Sequence, residues 1–148
     1  MLRVEKLRVE SLRLWLFREV SGKTGGKGEG FNEKTIMINY NNKVFRVISN
    51  AENGETSGET VFHYKQTGPV LTAEYSGGKI KYGHLLGIVD EKGNIEMRYH
   101  QVNEKGELMT GICKSTPEIL VNGKIRLHEI WKWTSGDKSK GQSIIEEE

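Results

Sequence analysis

Val121-Asn122-Gly123-Lys124-Ile125-Arg126-Leu127-His128-Glu129-Ile130-Trp131-Lys132-Trp133 reads as a tight turn followed by a strand. Asn-Gly adopts φ > 0 at little cost and is the strongest short-range hairpin signal. Beyond it, Ile125, Leu127, Glu129, Trp131 and Trp133 fall on one face, and Arg126, His128, Ile130 and Lys132 on the other. Two indoles place the first face inside, and strict alternation then carries Glu129 inside as well.

The same rhythm runs through the chain on both sides of this stretch. Residues 37–49, 60–66, 70–76, 80–89, 95–102, 108–115, 124–133 and 142–146 read as strands rich in β-branched and aromatic residues. Most links between them are short, as at Thr67-Gly68-Pro69 and Gly77-Gly78-Lys79, so sequential neighbours must pair antiparallel. About eight strands in such a meander close on themselves and leave no exposed edge, which predicts a single antiparallel up-and-down β-barrel. The chain's 18 glycines and 2 prolines suit many tight turns and few helices. The longer 50–59 link, rich in Gly, Asn and Glu, is expected to be a mobile loop at the barrel mouth.

Residues 1–36 follow a different pattern. Leu2-Arg3-Val4-Glu5-Lys6, Leu7-Arg8-Val9-Glu10-Ser11 and Leu12-Arg13-Leu14 repeat every five residues, a period that matches neither a helix face nor a strand face. A Gly-rich run, Gly25-Gly26-Lys27-Gly28-Glu29-Gly30, follows. It lacks the Lys-Ser/Thr ending of a phosphate loop and reads as linker. The chain therefore divides at 1–36, a low-complexity, disordered or weakly helical tail, and 37–148, the barrel domain. A translation start set upstream of Met37 explains the tail, and an amphipathic membrane or partner helix is the functional alternative.

Charge follows the same division. Residues 1–36 carry eight Lys/Arg against five Asp/Glu, and the remainder is close to neutral. The barrel thus offers no basic field for a nucleic acid, and no run is long enough to span a membrane as a helix. The single Cys113 cannot close an internal disulfide, which points to a reducing, cytoplasmic setting. The four histidines lack the spacing of a metal site, and no cofactor or metal is expected.

Alternation in the other strands extends the interior. Phe62, Tyr64 and Gln66 share a face, as do Leu71, Ala73 and Tyr75, and Ile95, Met97, Tyr99 and Gln101. The expected ligand-binding set is Phe62, Tyr64, Gln66, Tyr75, Tyr99, Gln101, Glu129, Trp131 and Trp133. Aromatic walls with a few convergent polar groups are the usual lining of a small-molecule pocket. The alternative is a filled core whose polar tips pair with one another or with buried water, in a protein that serves by association of its own copies. Acid–base work by Glu129 and Tyr99 is an enzymatic alternative, though no spacing assigns catalytic residues. In 80–89 the inward face is ambiguous, because Gly83 and Gly87 mark a place where parity can switch.

Gly83-His84-Leu85-Leu86-Gly87, Met97-Arg98-Tyr99-His100-Gln101, Gly106-Glu107-Leu108-Met109-Thr110-Gly111 and Trp131-Lys132-Trp133-Thr134-Ser135-Gly136-Asp137 together resemble a family of small bacterial proteins grouped as avidin-like. Its members often carry the label N-acetylglutamate synthase. The resemblance covers 37–148 and implies an avidin/calycin-like barrel. Trp131-Lys132-Trp133-Thr134-Ser135-Gly136 is also similar to a late strand end of streptavidin, which implies Trp131 as a pocket wall. The synthase label would imply acetyl transfer to glutamate, yet no Arg/Gln-x-x-Gly-x-Gly/Ala turn for acetyl-CoA occurs. The expectation is a small, partly apolar ligand, no nucleic-acid or membrane partner, and possible association into a homo-oligomer.

Overall fold

The computed structural model describes residues 38–148; the expected tail and linker, residues 1–36, lie outside the described residues. Eight strands form the barrel: β1 Val44–Asn50, β2 Val61–Thr67, β3 Val70–Gly77, β4 Ile80–Val89, β5 Ile95–Asn103, β6 Leu108–Ile119, β7 Ile125–Trp133 and β8 Lys140–Glu147. Each pairs antiparallel with the next, and β8 pairs with β1 to close the wall. The hairpins use the turn chemistry legible in the chain. Gly123, after Asn122, adopts φ 85°, where a side chain would be strained.

The first expected strand is corrected. Residues 38–43 are not strand, although Ile38 and Tyr40 alternate like one. They plug one end of the barrel instead. The Tyr40 hydroxyl donates to the Gly93 carbonyl at 2.5 Å, and the Tyr40 backbone N–H donates to Gln66 Oε1 at 2.8 Å. Both partners are far from Tyr40 in sequence, so no local pattern reveals the plug. Above it, Phe45, Tyr64, Leu71, Leu127 and Ile145 are almost wholly buried and fill the base half of the barrel. The Phe, Leu and Ile side chains among them each stabilise the fold by about 1.5–3 kcal/mol.

Strand β4 resolves its own ambiguity. A register shift lies between Ile80 and Tyr82, ahead of the glycines. Ile80 faces inward, the shift reverses parity, and Gly83, Leu85, Gly87 and Val89 continue the inner face. His84, Leu86 and Ile88 are therefore outside, and Val70 stands directly opposite Ile88 on the neighbouring strand. Strand β6 runs past its expected end at Ser115 through Pro117 to Ile119. Pairing to β5 ends at Ser115, so beyond it the strand has β7 alone as neighbour, and a proline is tolerated on such an edge.

Candidate functional site

The mouth half of the barrel is built differently from the base. Inward residues recur about every 6.6 Å along a strand. On β2 this places Phe62 near the mouth, Tyr64 mid-barrel and Gln66 at the base. Phe62, Tyr75, Tyr99, Gln101, Glu129, Trp131 and Trp133 line one cavity of about 50 Å³. Tyr64 and Gln66, expected in the same set, do not line it. Gln66 holds the base plug, and Tyr64 belongs to the packed core above it.

The rings meet in an ordered way. Phe62 stacks on Tyr75 with centroids 4.6 Å apart, Tyr99 meets Trp133 edge-on at 5.6 Å, and Trp131 meets Trp133 at 5.7 Å. Three inward glycines make room for three of these rings. A Cβ at Gly83 would lie 2.2 Å from the Tyr75 ring, one at Gly111 2.2 Å from Tyr99, and one at Gly141 2.4 Å from Trp131. The glycines thus belong to the site as spaces rather than as hinges.

The 51–60 loop spans the mouth and is fastened by the walls. Trp131 Nε1 donates to Asn50 Oδ1 at 3.2 Å, and Trp133 Nε1 donates to the Asn53 carbonyl at 3.1 Å. Glu55 reaches across from the loop to accept hydrogen bonds from Gln101 Nε2 at 2.9 Å and Asn103 Nδ2 at 2.7 Å. Tyr75 donates to Gln101 Oε1 at 2.7 Å, so one chain of hydrogen bonds runs from the wall to the loop. Asn50, Glu55 and Thr56 line the cavity, and none of them was expected there. Glu55 and Thr56 are loop side chains with no periodicity from which to read them, and Asn50 ends β1 after a register shift.

Glu129 is the chemical centre. It sits between Ser115 on β6 and Ser143 on β8, which stand directly opposite it in the register. Both serine hydroxyls donate to its carboxylate at 3.0 Å, and the Cys113 thiol approaches at 3.8 Å. Burial pushes the Glu129 carboxyl above its usual range, while the hydrogen bonds from Ser115, Ser143 and Cys113 oppose the rise. Burial, and next the charge of Glu129, push the Cys113 thiol well up, which keeps it neutral and a poor nucleophile. Burial likewise raises Tyr99 and Tyr75. The Tyr64 hydroxyl is buried with no hydrogen-bond partner, and it feels Glu129 more strongly than any other charge. Among the described residues, no group of three His, Cys, Asp or Glu is placed to hold a metal ion.

The raised carboxyl has a measurable consequence. A carboxyl whose pKa is higher folded than unfolded makes the native state bind more protons between the two values. Stability therefore falls as pH rises from about 4, the unfolded value, through the folded value. Glu129→Gln keeps a hydrogen-bonding side chain of the same shape and removes the titration. Urea midpoints from pH 4 to 8 should show the variant gaining on the parent as pH rises. Parallel curves would mean that Glu129 titrates normally.

A family model described as Avidin-like protein matches residues 38–148. No curated protein and no solved structure matches the chain.

Proposed function

We propose a ligand-binding role on the premise that this chain belongs to the avidin-like family: it is a small-molecule-binding barrel whose ligand lodges in the mouth half. The carrying observation is the cavity itself, left open among Tyr75, Tyr99, Glu129 and Trp131 in a barrel whose base is filled. As it stands the cavity holds on the order of three or four water molecules. A larger ligand enters as the 51–60 loop lifts, which breaks the bonds of Glu55 and Asn53 to the walls and those of Thr56 to Asn50 at the end of β1. The synthase label attached to the resemblance is not part of this proposal. Gripping the pyrophosphate of CoA calls for backbone amides such as those at a helix N-terminus, and residues 38–148 are strands and turns.

The test begins with small molecules extracted from the purified protein by unfolding and identified by mass spectrometry. Returned to refolded protein, the ligand should quench Trp fluorescence saturably, because Trp131 and Trp133 are two of the chain's three tryptophans. Steady turnover of acetyl-CoA and glutamate, abolished by Glu129→Gln, would replace the binding protein with an enzyme.

A further inference from the structure

We infer that the ligand of this cavity carries a compact organic ammonium group, received by Glu129 between the aromatic walls. The inference rests on the pocket reading above and adds to it the charge of the ligand. Two carboxylates, Glu55 and Glu129, line the cavity, and no Lys, Arg or His lines it. Among the described residues neither carboxylate is in an ion pair. An acidic site without a cation repels anions and attracts cations.

Hydrogen-bonding capacity points the same way. Most of the cavity's donors are turned onto protein acceptors: Gln101 onto Glu55, Tyr75 onto Gln101, Trp131 onto Asn50, Trp133 onto the Asn53 carbonyl and Ser143 onto Glu129, which leaves the hydroxyls of Tyr99 and Thr56. What remains for a ligand includes a charged acceptor. Glu129 Oε1 accepts from Ser143 only, so an oxygen with two acceptor positions has one to spare. The surrounding surface consists of Tyr75, Tyr99, Trp131 and Trp133, whose π-faces carry negative potential and attract ammonium groups. A ligand that donates and is positively charged satisfies both features, whereas a carboxylate is repelled by Glu55 and Glu129.

Three probes of equal length separate the possibilities: n-butylammonium, butanamide and butyrate, titrated calorimetrically into refolded full-length protein at neutral pH. n-Butylammonium should bind at least tenfold more tightly than either of the others. Glu129→Gln should cost the ammonium at least tenfold and change butanamide less than twofold, with the variant's thermal midpoint confirming that it is folded. Preferred binding of butanamide or butyrate overturns the ammonium assignment and leaves the pocket standing. Ammonium binding unchanged in Glu129→Gln removes Glu129 as its receptor and overturns the inference as well. Absence of saturable binding by all three overturns the assignment and the pocket together.

Discussion

Trp131→Ala should lower stability by about 3 kcal/mol, the low end of the range for removing a buried Trp. For a barrel of this size that is a fall of roughly 10–20 °C in thermal midpoint. The indole is 6% exposed, packs on Trp133, fits the space left by Gly141 and donates to Asn50 at the end of β1. Its border on the cavity keeps the cost at the low end, because that part of the ring has no packed neighbour to lose. Ligand quenching should disappear in the variant. Lys132→Ala, on the outer face one residue away, should change stability by no more than ~0.5 kcal/mol. Equal effects at the two positions would contradict the strand's parity.

Gly111→Ala tests the cavity from the opposite side. A methyl group there would lie 2.2 Å from the Tyr99 ring and 2.7 Å from the Lys132 carbonyl. Tyr99 is free to swing away, but the carbonyl belongs to the barrel wall. The variant should lose about 1–3 kcal/mol, as overpacked cores do, and its Tyr99 should leave the cavity, weakening ligand binding. Gly58→Ala is the control, since its methyl would meet only the Val47 carbonyl at 3.7 Å. A Gly111→Ala protein as stable as the parent, with binding intact, would show that Tyr99 does not depend on this space.

Much of the architecture was legible because a strand's period of two is written directly into side-chain order. In β7 and β5 that order predicted which residues point inward, Glu129 included. It failed where geometry departs from the period. Ile38 and Tyr40 alternate as a strand would, yet they serve a plug whose partners, Gly93 and Gln66, are remote in sequence. The β4 parity reverses at a register shift near Tyr82, not at Gly83 or Gly87. Within the site, alternation placed seven residues on the cavity but carried no depth, so Tyr64 and Gln66 were grouped with residues one and two repeats nearer the mouth. Ser115 and Ser143 needed the register across three strands before they could be set beside Glu129. The loop residues Glu55 and Thr56 left no periodic trace at all, and Asn50, the last residue of β1, follows a register shift after Val47 that alternation does not record.

The central claim is that the mouth half of this barrel is a ligand pocket beneath a fastened loop. Amide NMR during a small-molecule library screen tests it most directly. The indole N–H signals of Trp131 and Trp133 and the side-chain amide of Gln101 report on the walls, and the Glu55 backbone amide reports on the loop. A binding compound should shift all four with one common dissociation constant and leave base signals such as the Gly93 amide in place. If, across the library, compounds perturb only outer-face signals while these four stay fixed, the interior is a sealed core and the pocket account is wrong.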